Sequence, residues 1–322
     1  MEALMTPGPL PNIFDPVSTP ALAIRDLSWL LFAVTGAILA VVAGVLVYAV
    51  VRFRHRRGDD AAEPAQVYGS NPIELAWTVA PLLIVLVLFL VTARTVFTLE
   101  RHPPADALRV AVIGHQWWWE FRYPVQGVVT ANELHVPVSD PARPRPVFLT
   151  LESEDVVHSF WIPQLAGKTD VIPNRTNTMW IEPLKTGTFL GQCAEFCGTQ
   201  HANMLLRVVV EPPPAFEAWL DAQRQPAADV ASARAGRAVF ESNPCASCHT
   251  VQGTSARGTV GPDLTHLMSR ETLGAGAVPN DGQHLLAWVR NPGDLKPGVR
   301  MPAMRLDHAS LTSLVAWLET LH

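Results

Sequence analysis

This chain carries little charge. Only 16% of its 322 residues are Asp, Glu, Lys or Arg, against 48% hydrophobic residues. That balance leans toward a membrane component. The net charge of -5, mixed in sign, offers no basic surface for nucleic acid. Cysteine is also scarce: Cys193, Cys197, Cys245 and Cys248 are the full set of four. So few thiols allow two disulfides at most, in three possible connectivities. They fall in two close pairs, each followed by a histidine, and disulfides would leave the neighbouring His and Met residues without a reason. The length allows two or three domains.

Two stretches carry no charge at all. Residues 27–51 run for 25 positions and residues 75–93 for 19, each enough to cross a bilayer. The first is followed by "RFRHRR", with Arg52, Arg54, Arg56 and Arg57, and the second is closed by Arg94. An arginine cluster between two spans marks the cytoplasmic side, so both termini and everything after Arg94 are expected outside. The first run is too long and too far inside the chain for a cleaved signal peptide, and an acidic, proline-rich leader precedes it. The competing reading is a buried helical hairpin in a soluble protein. The second helix opens with "NPIELAWT": Asn71 suits an N-cap, Pro72 the first turn, and Glu74 the positive end of the helix dipole. A carboxylate at the edge of a span also suits a proton route.

Residues 107–211 have no sustained helical period. The runs "LRVAVIGHQWWWEFRY", "PVFLTLES", "TNTMWIEP", "GTFLGQC" and "MLLRVVVE" are strand-like, with prolines and glycines between them. A β-sandwich or Greek-key barrel is the natural architecture. Within it lies "GQCAEFCGTQHANM", which places Cys193, Cys197, His201 and Met204 in one segment, and "DVVHSFWIP" adds His158. Cysteines at this spacing permit zinc. A thioether is a softer ligand, and thiolate, imidazole and methionine on a β-sandwich form the blue-copper set. A second cysteine within reach lets both sulfurs bridge two coppers, a rigid arrangement suited to electron transfer.

The segments "DVVHSFWIP", "GKTDVIPNR" and "GQCAEFCGTQHANM" closely resemble subunit II of the haem-copper cytochrome c oxidases, from the first span to about residue 222. The resemblance implies a cupredoxin-like sandwich with a binuclear CuA centre. Its ligands would be His158, Cys193, Cys197, His201, Met204 and the carbonyl of Glu195, whose side chain would face magnesium at the boundary with subunit I. Quinol-oxidizing relatives lack these ligands. "GHQWWWEFRY" matches the family's aromatic stretch and makes Trp117 the residue through which electrons reach CuA; Trp118 and Trp119 suit core or membrane-interface positions equally. Glu74 matches the carboxylate at the mouth of the proton route called the K pathway. Asn174 stands where the family has glycine, and asparagine tolerates the positive φ of that turn.

After "EPPPAFEAWLDAQRQPAAD" the composition turns linker-like. "CASCH", Cys245 to His249, is the c-type haem attachment signature, and no βαβ pattern surrounds it to suggest a thioredoxin-like pair. "SARAGRAVFES" and "HASLTSLVAWLETLH" read as terminal helices that cross closely at Gly236 and Trp317. This part resembles the class I cytochromes c, small all-α domains, and the fusion is the arrangement of caa-type oxidases. Within "KPGVRMPAMRLDH", Met301 is the expected sixth haem ligand and Met304 a packing residue. Residues 231–322 hold eight Lys and Arg against seven Asp and Glu, so a tether rather than charge steering is expected to bring haem and copper together.

The expected organisation is an outer segment (1–26), a two-helix transmembrane hairpin (27–98), a cupredoxin-like CuA domain (99–222), a linker (223–230) and a cytochrome c domain (231–322). The expected role is in a proton-translocating oxidase of the bacterial inner membrane, both redox domains periplasmic and the oxygen-reducing site in subunit I. Haem c would be reduced by cytochrome c or a quinol-cytochrome c reductase. The rivals are a CuA subunit of a nitric oxide reductase and a free-standing membrane electron carrier.

Overall fold

The computed structural model describes residues 11–54, 66, 68–100 and 107–322; Arg56 and Arg57 of the arginine cluster lie outside them. The chain divides into two compact units, residues 23–101 and the remainder. In the first unit the uncharged runs form α1 (Thr19–Arg52, whose first turn belongs to the other unit) and α2 (Asn71–Leu99). α1 has 34 residues, about 50 Å at 1.5 Å per residue, and therefore exceeds the ~30 Å hydrocarbon layer. It starts at Thr19, eight residues before the uncharged run, and includes the Arg25–Asp26 ion pair. Neither helix has a polar face, and α2 buries no residue, the pattern of helices solvated by lipid.

The cap of α2 differs from the expected one. Asn71 is the first helical residue and Ser70 the N-cap, with Pro72 in the first turn. Glu74 Oε1 accepts from the Ser70 amide at 3.3 Å, so the carboxylate closes the helix start itself.

The second unit begins its main body with a sandwich of two five-stranded sheets. One has the order β3-β2-β1-β5-β8, from β1 (Leu108–His115), β2 (Trp118–Tyr123), β3 (Val128–Ala131), β5 (Val147–Ser153) and β8 (Asn177–Ile181). The other is β4-β10-β9-β6-β7, from β4 (Glu133–Pro137), β6 (His158–Trp161), β7 (Thr169–Val171), β9 (Gly187–Cys193) and β10 (Leu205–Glu211). β1–β5 and β4–β10 pair in parallel, and the other neighbours antiparallel. Alternate residues fill the core, among them Val110, Val112, Phe121, Leu149, Phe160 and Val208. The run read as one strand from Leu108 to Tyr123 is two, β1 and β2, turning at Gln116–Trp117 with His115 opposite Trp118. Asn174 has φ +60°, the left-handed conformation expected of that turn. Helix α3 (Pro213–Gln223) then packs Phe216 and Leu220 onto the sandwich core.

A second core follows, built by α4 (Arg234–Ser242), α5 (Cys245–Cys248), α6 (Gly282–Arg290), α7 (Pro292–Leu295) and α8 (His308–Leu318). Asp307 caps α8 by accepting from the Ser310 amide at 2.8 Å. To this helical set the structure adds a small hairpin, β11 (Thr272–Leu273) and β12 (Val278–Pro279). α4 crosses α8 at Gly236, where a Cβ would lie 1.9 Å from Ser313 O and 2.7 Å from Trp317 Cβ. No side chain can move aside to relieve a clash with a backbone carbonyl. Gly236→Ala is therefore expected to cost at least about 2 kcal/mol of the cytochrome module's stability. Thermal unfolding followed in the haem band should register it as a fall of several degrees.

Candidate redox site

The turn after β9 is closed by β10, and this closure folds the segment 193–204 back on itself. The Cys193 amide donates to Met204 O at 3.0 Å, and His201 opens a short 3-10 turn that returns the chain to β10. His158 arrives from β6, and Phe160, two residues along the strand, pairs with Cys193. The ligand atoms of His158, Cys193 and Cys197 all lie within 4.8 Å of one another. Around Cys193 Sγ stand Cys197 Sγ at 3.8 Å, His158 Nδ1 at 3.9 Å and Glu195 O at 3.2 Å. Around Cys197 Sγ stand His201 Nδ1 at 3.7 Å and Met204 Sδ at 3.9 Å. All six groups anticipated from the sequence thus converge. Two thiols, two imidazoles, a thioether and a carbonyl form a soft, sulfur-rich donor set that fits copper better than zinc. Both cysteines are free, so no disulfide competes.

The electrostatics suit the same chemistry. The hydrogen bond with Cys197 holds the Cys193 thiol far below the ordinary thiol range, against the opposing effect of burial. His158 is buried, and its Nε2 meets Asp155 Oδ1 at 2.9 Å, which leaves Nδ1 to face the sulfurs. Burial would lower the His158 pKa; the Asp155 and Cys193 contacts outweigh it and raise it. Asp155 lies in the quoted "DVVH" segment, yet its role escaped the sequence reading. Its spacing of three before a ligand histidine is the available signal, since ligand histidines usually carry a carboxylate on their far nitrogen. The Glu195 side chain is exposed while its carbonyl faces Cys193, and Phe196 beside it is 75% exposed.

Trp117 sits directly against this loop. Its indole Nε1 donates to Cys197 O at 3.0 Å, and Gln116 Nε2 donates to the same oxygen at 2.7 Å. Trp119 is fully buried against Phe160 and belongs to the core, whereas Trp118 stacks on His115 with ring centroids 4.1 Å apart.

In the helical module, Cys245 and Cys248 share the single turn α5 and His249 follows at once. His249 Nδ1 lies 2.8 Å from Pro262 O, so it carries the proton and Nε2 is free to bind. Burial pushes the His249 pKa down and keeps the ring neutral. At Gly261 a Cβ would meet His249 Cε1 at 2.5 Å, so the backbone lies flat against the ring. A neutral, oriented imidazole beside two thiols on one turn fits covalent haem. Met301 and Met304 are both half-buried, in the irregular segment before α8.

The helical module also touches the sandwich. Lys296, 1% exposed, donates to Trp117 O at 2.9 Å, Asn203 O at 2.8 Å and Gly274 O at 2.7 Å. Arg300 Nη2 donates to Gln116 Oε1, and Arg300 Nη1 lies 3.8 Å from Asp155 Oδ2. Leu205 N donates to Ala275 O at 3.1 Å at the tip of the β11–β12 hairpin. Buried Glu133 of β4 accepts from the amides of Glu271 and Thr272 at 2.8 and 3.2 Å, and burial raises its pKa. None of these contacts was anticipated, because each joins residues remote in sequence.

Family models match three stretches: cytochrome c oxidase subunit II, transmembrane domain, over residues 11–94; its periplasmic domain over 141–211; and cytochrome c over 233–322. Cytochrome c oxidase subunit 2 of Alkalihalophilus pseudofirmus is 33% identical over 315 residues, covering 95% of this chain and 90% of that one. The Bacillus sp. (strain PS3) protein of the same name is 33% identical over 77% of this chain and 73% of its own. Among solved structures, the periplasmic domain of cytochrome oxidase subunit II from Bradyrhizobium japonicum is 31% identical over 38% of this chain and 96% of that one, with a TM-score of 0.35. Fold and site together define a membrane-anchored protein with a cupredoxin-like periplasmic domain and a cytochrome c domain. The chain belongs to the cytochrome c oxidase subunit II family. It is a subunit of a haem-copper oxidase, an oxidoreductase, and partners with subunit I and other oxidase subunits. Its subunit II periplasmic domain and its cytochrome c domain imply CuA copper and haem c.

Removing the carboxylate behind His158 tests the donor geometry. Asp155→Ala is expected to weaken copper binding about 10–100-fold by freeing the ring. A chelator competition titration reads that shift directly.

Proposed function

We propose that the chain is the electron-accepting subunit of a caa-type oxidase in the bacterial inner membrane, with both redox domains on the periplasmic side. Haem c would be reduced by cytochrome c or a quinol-cytochrome c reductase, CuA would be its acceptor, and oxygen reduction would lie in subunit I. The observation that carries the reading is the convergence of six soft donors on two adjacent sulfurs, with a Cys-x-x-Cys-His module docked beside them. When bound, haem and the copper pair supply one-electron redox chemistry.

The protein's own residues hold and aim these groups. Cys245 and Cys248 would anchor the haem and His249 Nε2 would bind its iron, while Pro262 O fixes the ring. His158, Cys193, Cys197, His201, Met204 and the carbonyl of Glu195 would hold copper, and Asp155 orients His158. Trp117 ties the β1–β2 turn to the cysteine loop through its hydrogen bond to Cys197 O, and its own carbonyl accepts from Lys296 of the helical module. The exposed Glu195 carboxylate would take magnesium at the subunit I boundary. Glu74, beyond closing α2, serves as the proton-route carboxylate, and lipid surrounds α1 and α2.

Metal analysis of the purified complex should return two coppers and one covalent haem from this chain, with a mixed-valence copper signal shared by two nuclei. One copper, or zinc in its place, would overturn the assignment. Met301 would be the sixth haem ligand: a weak sulfur ligand benefits from a stiff loop, and proline at 302 disfavours a helical Met301. Met301→Leu should abolish the ferric iron–sulfur charge-transfer band and lower the haem potential, and Met304→Leu should leave both in place. The opposite pattern would move the ligand to Met304.

A further inference from the structure

The segment from Lys296 to Arg300 is a small device. Lys296, Pro297, Gly298 and Val299 form a turn closed by the Val299 amide on Lys296 O at 3.1 Å, with Gly298 at φ +83°. Proline at the second position and a left-handed glycine at the third define a type II turn. The turn points both cations toward the sandwich, onto consecutive residues. Lys296 takes the carbonyl of Trp117 and Arg300 the side chain of Gln116. Those same two residues donate to Cys197 O. Gln200 Nε2 donates to Pro297 O, and Thr199 lies against Gly298, so the copper loop grips the turn in return.

Lys296 is an expensive choice for such a place. It is almost wholly buried, with no carboxylate among its partners, and burial pushes its pKa down to about 7. An apolar side chain would seal the contact at less cost, but it would not fix which surfaces meet. Three convergent carbonyls, drawn from the Trp117 turn, the copper loop and the β11–β12 hairpin, are satisfied only when all three segments are in register.

We propose that Lys296 and Arg300 are positioning residues that lock the cytochrome module permanently onto Gln116–Trp117, so that this face is unavailable to an external electron donor. The lock rests on the functional reading above but adds a separate claim: the module does not leave the copper domain between turnovers. A tethered module that detached would have to diffuse back each time, whereas a locked one would not.

The test uses the assembled oxidase in detergent, comparing wild type with Lys296→Met and, as the milder change, Arg300→Gln. Haem c is photoreduced and its re-oxidation followed at several viscosities, with hydrogen exchange measured at 116–117, 203–205 and 274–276. In the wild type, re-oxidation should be independent of viscosity and the three segments protected. Lys296→Met should slow re-oxidation at least tenfold and make it viscosity-dependent, with protection lost, while the haem and copper spectra stay unchanged. Arg300→Gln should move the same readouts in the same direction by a smaller factor. A folding defect would disturb the spectra instead, and Arg300→Gln then decides. Viscosity-dependent transfer in the wild type, or unchanged rates and protection in both variants, would overturn the lock. Absence of haem or copper signals would count against the functional reading alone, because exchange protection reports the lock without them.

Discussion

The carbonyl oxygen of Cys197 accepts two hydrogen bonds, from Gln116 and from Trp117, and this one atom ties the β1–β2 turn to the cysteine loop. A carbonyl has two lone pairs, and here neither is left over. The β1–β2 turn and the cysteine loop therefore move as one body, although they lie 80 residues apart in sequence. On one side of this joint the sulfurs, imidazoles and thioether gather. On the other, Lys296 and Arg300 bind the same two residues. A displacement of the cysteine loop would reach the haem module through no more than two side chains.

Local chemistry was legible from the sequence, and remote pairing was not. The Cys-x3-Cys-x3-His-x2-Met spacing gathers soft donors in one tight loop, and the resemblance to the oxidase family is what marked them as copper ligands. Gly236 and Trp317 could be paired in advance because two terminal helices can cross so closely only over a missing side chain, and Asn174 takes the positive φ that its place in a turn suggested. The first uncharged run located a helix but not its start, since a charge-free run stops at Asp26 while the helix begins ahead of Arg25 and Asp26. The strand pattern ran straight through Gln116–Trp117 because three consecutive tryptophans hide a turn that no glycine or proline marks. β3, β4, β6 and β7 escaped notice as short segments. Lys296 looks like an ordinary surface lysine in "DLKPGVR", and only the fold reveals that three carbonyls await it.

The two modules are held by different physics. Within the cytochrome module, α4 and α8 meet over Gly236 by shape, burying Phe240 against Trp317 with ring centroids 5.0 Å apart. Between modules the contacts are mainly polar and directional: an ammonium on carbonyls, a guanidinium on an amide, and the Glu133 carboxylate on the amides of Glu271 and Thr272. Apolar contact sets how strongly surfaces adhere, and directional bonds set how they are oriented.

The type II turn at Lys296–Val299 carries a consequence for building chimaeras. Its docking chemistry is confined to five consecutive residues, Lys-Pro-Gly-Val-Arg, of which the proline and glycine set the shape and the two cations make the bonds. A foreign cytochrome grafted behind this sandwich would keep its haem but arrive without a grip on the copper domain. Grafting these five residues ahead of its axial methionine, together with a β11–β12-like hairpin to offer the third carbonyl, would make the orientation portable.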